Sequence, residues 1–238
     1  MNKINTLSLL LGCLILLTTT ACPLDQEGAT TLPQSKQLLI IGIDNSKTFS
    51  HFEKIPPQYI RTLCDSVAAT GNGGVIAVYG IGNPSDSAFI RKRILPLKPI
   101  DENAMLSIQV EQTKANEKIN TLNEKAINEI VEQYTNAIYS RGDQLETDFQ
   151  RFINKAITVA NEPNYTDYKR HIFIYSDALH DIKGNKTMIL PSDEKLEDIH
   201  FYGCGLKNQA LVDKLGIQIY ESPDGFLESF TNHIIKQK

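Results

Sequence analysis

The sequence predicts an α/β fold, a mainly parallel sheet covered by helices on both faces, and three observations lead to it. Short continuous apolar runs such as LLIIGID, VIAVYGIG, IFIYSD and IHFYGCG are the mark of strands buried on both faces. Segments whose apolar residues recur every three or four positions alternate with those runs, as strand and helix units do in a parallel sheet. The first run stops at Asp44, with Ser46 and Thr48 two and four residues on, and ligands of open α/β sheets bind beyond the carboxyl ends of such strands.

From the N-terminus, Lys3 precedes an apolar stretch from Leu7 to Leu17, and the small-residue segment TTTA ends at Cys22. This is the layout of a secretion signal, and its apolar stretch falls short of the roughly 20 residues that a membrane span requires. The segment resembles a bacterial lipoprotein signal, in which the cysteine becomes the lipidated N-terminus of the mature chain. Residues 1–22 are then the signal and Cys22 the lipidation site. Cys13, after LLLG, is the competing site and leaves a very short apolar core. The resemblance implies a lipid-anchored protein of the bacterial cell envelope, at the outer membrane or facing the periplasm. An aspartate after the cysteine commonly retains enteric lipoproteins at the inner membrane, and Pro23 holds that place here. Residues 23–36, rich in Thr, Pro, Gln, Gly and Ser without apolar periodicity, read as a flexible tether.

Residues 37–238 read as one domain, roughly 200 residues being ordinary for a single α/β unit. After the first strand, Tyr59, Ile60, Leu63 and Val67 predict a helix from about Pro57 to Ala69. The turn GNGG leads into the second strand. FIRKRILPL has alternating character and a proline suited to an edge strand. A polar stretch from Asp101 to Ser140 carries Ile119, Leu122, Ala126, Ile130, Tyr134 and Ile138 at helical spacing. It predicts one long helix, or two joined near Asn116, whose interleaved Glu and Lys form a solvated face. A further helix spans Asp148 to Ala160, with Phe149, Phe152, Ile153, Ala156 and Ile157 on its apolar side. Strands IFIYSD and IHFYGCG, a short helix over Asn208 to Leu215, strand GIQIYES and a final helix from about Asp224 complete the chain.

A formal net charge of -4 and a pI near 5.8 argue against a nucleic-acid partner, because no basic face offsets the acids. With Cys13 and Cys22 assigned to the signal, Cys64 and Cys204 remain in the domain. An exported pair can form a disulfide, against which stands the common outcome of buried free cysteine. His180 lies three residues after Asp177 and reads as a loop histidine beside the site, while His51, His171, His200 and His233 show no ligand spacing among themselves. No G-x-S-x-G elbow, Walker loop or C-x-x-C pair is present.

The segment Asp44, Ser46, Thr48 resembles the D-x-S-x-S/T signature of the von Willebrand factor A domain, whose first strand feeds a metal-ion-dependent adhesion site. In that family a threonine from a later loop and an aspartate ending the fourth strand complete the site. Thr147, just ahead of a helical pattern, and Asp177, at the end of HIFIYSD, follow in that order. The resemblance implies a three-layer α/β/α Rossmann-like sandwich, mainly parallel with one antiparallel edge strand, in which Ser46, Thr48 and Thr147 supply hydroxyl oxygens and Asp44 and Asp177 bind directly or through water. Such donors suit Mg²⁺, or Mn²⁺ or Ca²⁺. The implied role is a cation-dependent binding or adhesion module, in which an acidic residue of a protein ligand completes the metal shell. Two alternatives stand beside it. Ser46 and Thr48 cap the next helix while Asp44 binds backbone amides, leaving a scaffold without metal. Or Asp44 and the pair Asp177 and Asp181 resemble a haloacid dehalogenase phosphatase with Asp44 as nucleophile, although Ser46 stands where those enzymes place a second aspartate.

Overall fold

The apolar run that opens the domain becomes β1 (Lys36–Asp44), and its side chains from Gln37 to Asp44 are all buried. The computed structural model describes residues 35–49, 53–82, 89–139, 146–181, 187–189, 191–192 and 196–235. The expected signal, with Cys13 and Cys22, and residues 23–34 of the tether lie outside them. β1 is flanked by β2 (Gly74–Ile81) and β4 (Tyr168–Tyr175), both parallel to it, with β5 (Ile199–Cys204) and β6 (Gln218–Tyr220) continuing beyond β4. β3 (Phe89–Ile94) pairs antiparallel with β2, so the order is β3-β2-β1-β4-β5-β6. The antiparallel edge is where FIRKRILPL places it.

A strand's side chains alternate between faces, so β1 feeds two cores. Leu39, Ile41 and Ile43 join the core built with α1 (Pro57–Ala69), the long helix α2 (Leu106–Tyr134) and the C-terminal helix α5 (Pro223–Ile235). Leu38 and Ile40 join the core built with α3 (Phe149–Ala160) and the short α4 (Gln209–Leu215). Removing one such side chain from water contributes about 1.5–3 kcal/mol. Helix, sheet, helix is therefore the layering. Gly42 of β1 makes room for Phe152 of α3, since a Cβ there would overlap the phenyl ring.

The helix starts follow local chemistry. α1 begins with Pro57 after Pro56, a residue type whose fixed φ and missing N–H suit a first turn. Asp148 caps α3 by accepting the Arg151 N–H at 3.1 Å, and Asn208 caps α4 through Leu211 N–H at 3.1 Å.

The Asp101 to Ser140 stretch forms one long helix, one of the two expected forms, with a later start and a different buried stripe. It starts at Leu106 and is one unbroken helix followed by a wider π-turn over Thr135–Tyr139. Asn116 marks no break: its side chain bonds both the N–H and the C=O of Lys98. Leu122 is exposed, and the buried stripe runs instead through Asn123, Ile127, Ile130, Tyr134 and Ile138. Asn123 in turn holds Leu95 N–H and C=O, and Gln112 holds Asp101 N–H. Gln112, Asn116 and Asn123 thus fasten α2 to the returning segment Leu95–Asp101 through their amide side chains.

Cys64 and Cys204 are free and buried, so no disulfide joins them. Burial pushes both thiols up, Cys204 to about 11. Among the described residues, no helix is long and apolar enough to cross a membrane.

Candidate metal centre

The parallel register brings the chain ends of β1, β2 and β4 to one edge. Asp44 sits opposite Ile81 of β2, and its neighbour Ile43 opposite Tyr175 of β4. Beyond Asp44 the backbone turns at once. Asn45 N–H donates to Ile81 C=O at 3.2 Å, Ser46 N–H donates to Asp44 Oδ1 at 2.8 Å, and Phe49 N–H donates to Ser46 C=O at 3.1 Å. Aspartate favours such a turn because its side chain reaches the backbone two residues on. Asp44 and Ser46 are buried, at 6% and 1% exposure. Thr48 lies in the single 3₁₀ turn Lys47–Phe49 that follows; its side chain is outside what is described. Tyr175 and Tyr134 hold the segment on the far side of this loop, their hydroxyls donating to Glu53 C=O and Ile55 C=O at 2.6 Å each.

Asp177 lies two residues past the end of β4 rather than at its last position. It is 1% exposed. Its Oδ1 accepts Leu179 N–H at 3.1 Å, its C=O accepts Lys207 N–H at 2.9 Å, and its Oδ2 is buried with no hydrogen-bond partner. Thr147, 2% exposed, is held against the segment after Asp177: Thr147 N–H donates to Asp181 C=O and Asp181 N–H to Thr147 C=O, both at 3.0 Å. The next residue, Asp148, donates its N–H to Gly82 C=O just past β2. The five expected residues therefore come from three loops at one end of the sheet.

Ser176, which sequence reasoning passed over, is fully buried and directly precedes Asp177 in the chain. Its hydroxyl donates to Asp44 Oδ2 at 2.6 Å and accepts Ala178 N–H at 2.9 Å. Ala178 has φ 57°, a left-handed conformation unusual for a residue with a Cβ. Burial lifts the Asp44 carboxyl above the usual carboxylate range; hydrogen bonds from Ser176 and Ser46 oppose the rise, and the negative charge of Asp177 adds to it. That interaction marks the two carboxylates as electrostatic neighbours.

His180 is turned toward α3, its Nδ1 3.5 Å from Gln150 N and 3.8 Å from Asp148 Oδ1. It is a loop histidine at a helix start. Among the described residues, no group of three or more His, Cys, Asp or Glu side chains is placed to hold a metal. The acidic part of the candidate centre is thus the pair Asp44 and Asp177, with hydroxyls around it. His171 and His200 lie opposite each other on β4 and β5, their rings stacked at 5.5 Å, away from this edge.

Three loops carrying Asp44, Thr147 and Asp177 meet at the carboxyl edge of a six-stranded sheet whose one antiparallel strand, β3, lies at its border. The fold is von Willebrand factor A-like. Among solved structures the domain is similar to the pilus adhesin SpaC from Lactobacillus rhamnosus GG, with 12% identity over 85% of this chain and 30% of that one and a TM-score of 0.44. It is similar to a von Willebrand factor type A protein from Catenulispora acidiphila, with 12% identity over 85% and 43% of the two chains and a TM-score of 0.39. It is also similar to proximal thread matrix protein 1 of the mussel byssus, solved with a zinc-occupied MIDAS motif, with 13% identity over 86% and 48% and a TM-score of 0.40. The chain spans less than half the length of each of these three. The likenesses are remote, and the fold stands on the chain's own strand order. No protein-family model matches the chain, and no curated protein is similar to it in sequence.

Proposed function

We propose that this domain is a divalent-cation-dependent protein-binding module, with the ion held by Asp44, Ser46, Thr48, Thr147 and Asp177. The observation that carries the reading is Asp177 Oδ2, a buried carboxylate oxygen without a hydrogen-bond partner beside a second buried carboxylate. Such an oxygen is expensive to bury unless paired with a cation. A cation there offsets both the desolvation and the repulsion between the two acids. Carboxylate and hydroxyl oxygens are hard donors that suit Mg²⁺, Mn²⁺ or Ca²⁺ over softer ions.

Two carboxylates leave a bound divalent ion close to neutral, and the ion then supplies a Lewis acid able to accept one more oxygen. A protein ligand that presents an acidic residue matches that demand. The chain's own groups orient the site: Ser46 N–H and the Ser176 hydroxyl fix Asp44, and the Thr147 to Asp181 pair places Thr147. The alternative in which Asp44 binds backbone amides accounts for its Oδ1 but leaves Asp177 Oδ2 unexplained. The LTTTAC segment ending at Cys22 supports lipid anchoring in the cell envelope as the setting.

The deciding experiment is thermal unfolding with chelator or with millimolar Mg²⁺ or Mn²⁺. At a hundredfold excess over the dissociation constant, mass action stabilises by about 2.7 kcal/mol, roughly 5–10 °C for a domain of this size. Asp177→Asn keeps the shape and removes the charge, and is expected to abolish the shift while the domain still folds. A wild type that melts identically in chelator and in ion overturns the reading. Turnover of a generic phosphomonoester with Mg²⁺, lost in Asp44→Ala, would instead establish the phosphatase.

A further inference from the structure

We propose that Ser176 is the positioning residue of the centre, one hydroxyl that sets the orientation of both metal-binding carboxylates. The inference rests on the cation-binding reading above. Ser176 is fully buried, so its hydroxyl has no water to fall back on and must find partners within the protein. It uses both of its functions. Donating to Asp44 Oδ2 at 2.6 Å, it fixes the rotation of that carboxylate about its last torsion, together with Ser46 N–H on Oδ1 at 2.8 Å. A carboxylate has about four lone-pair directions, and with the Ser46 hydroxyl as a third partner about one of them remains for an ion. Accepting Ala178 N–H at 2.9 Å, the same hydroxyl stabilises the left-handed Ala178 immediately after Asp177.

The turn at Ala178 decides where Asp177 points. Leu179 N–H occupies Asp177 Oδ1 at 3.1 Å, and that donor is available only because the chain turns back at Ala178. Oδ2 is left as the unpartnered buried oxygen. A left-handed alanine costs about 1–2 kcal/mol, comparable to the net value of the hydrogen bond that holds it. Ser176 is therefore a single group joining the β1 and β4 sides of the centre. Partners that orient metal ligands without touching the metal commonly govern affinity by about 10- to 100-fold.

The test measures Mn²⁺ binding by calorimetry and, in chelator, hydrogen exchange of the Ala178 amide, for wild type, Ser176→Ala and Ser176→Thr. Ser176→Ala is expected to bind Mn²⁺ at least about 10-fold more weakly and to exchange the Ala178 amide faster. Ser176→Thr, which retains the hydroxyl, is expected to restore both. Ser176→Cys, close in volume with only a weak donor, carries the same expected loss as alanine, so a folding failure in one variant leaves the other to decide. Asn123→Ala, which weakens the fold far from the centre, is expected to leave Mn²⁺ affinity unchanged. That control separates positioning from general destabilisation. A wild type that binds Mn²⁺ with Ser176→Ala and Ser176→Cys binding equally well overturns this proposal and leaves the cation reading standing. A wild type that binds no divalent ion overturns both.

Discussion

His171 makes the folded state acid-sensitive through a group outside the candidate centre. It is 1% exposed on β4, its ring nitrogens 3.0 Å from Gln37 Oε1 and 3.1 Å from the Tyr202 hydroxyl, with Phe230 of α5 edge-on to the ring. Burial pushes its pKa down to about 3, with smaller contributions from the positive charges of His200, His233 and Lys169. In the unfolded chain the same group titrates near 6.5. Between those values the unfolded state takes up a proton that the folded state refuses, so stability is full above about 6.5 and falls as pH drops towards 3. One proton corresponds to about 1.4 kcal/mol per pH unit, hence about 3 kcal/mol between pH 6.5 and pH 4. Carboxylates titrate over part of the same range, so the informative quantity is a difference of slopes. Urea unfolding of wild type and His171→Gln at several pH values is the assay, glutamine keeping a donor and an acceptor. The variant is expected to lose stability on acidification less steeply, by close to one proton's worth. Equal slopes, or an imidazole signal for His171 that titrates near 6.5, would refute the argument.

Three further outcomes follow from other parts of the molecule. Gly42→Ala places a methyl group into the Phe152 ring, which is fixed in turn by Tyr79 and Phe149 at centroid distances of 6.0 and 5.8 Å; the expected loss is about 1–3 kcal/mol, read as a lower denaturant midpoint. Asp44→Asn removes the repulsion with Asp177 and the cost of burying a charge, so in chelator it is expected to melt higher than wild type, by about 1 kcal/mol of stability, while losing any response to Mn²⁺. Asn123→Ala leaves Leu95 N–H and C=O without their partner, with an expected cost of about 1–3 kcal/mol and faster hydrogen exchange at Leu95.

The elements that a one-dimensional pattern can carry were legible beforehand. Continuous apolar runs marked the buried strands, Pro57 marked the start of α1, and the alternating character and proline of FIRKRILPL marked β3 as an edge. Asp44 was visible because an acid that ends an apolar strand is anomalous. Ser176 was not, because its role comes from β4 lying beside β1, and a hydroxyl before an aspartate has no periodicity. The amides of α2 were hidden for a different reason. Asn116 reads as a possible join between two helices and Asn123 carries no apolar signal, although their seven-residue spacing puts both on one side of the helix facing Leu95–Lys98. Leu122 fits the apolar periodicity of the sequence, yet it is exposed, because position on the helix and not polarity sets the inner stripe. The His171 and His200 pairing required the register of β4 with β5, which no local signal contains.

The reciprocal pair of bonds between Thr147 and Asp181 is made entirely of main-chain atoms, and this has a consequence for how the site varies. A link of that kind is blind to side-chain identity. Substitution at either position leaves the two loops buckled together, whereas proline, lacking the N–H, unfastens one side at once. The five residues from Asp177 to Asp181 are therefore tied to the loop that carries Thr147, and displacement of one loop pulls on the other. Chemical specificity at this edge can drift by point mutation without the frame that aligns its two halves being rebuilt.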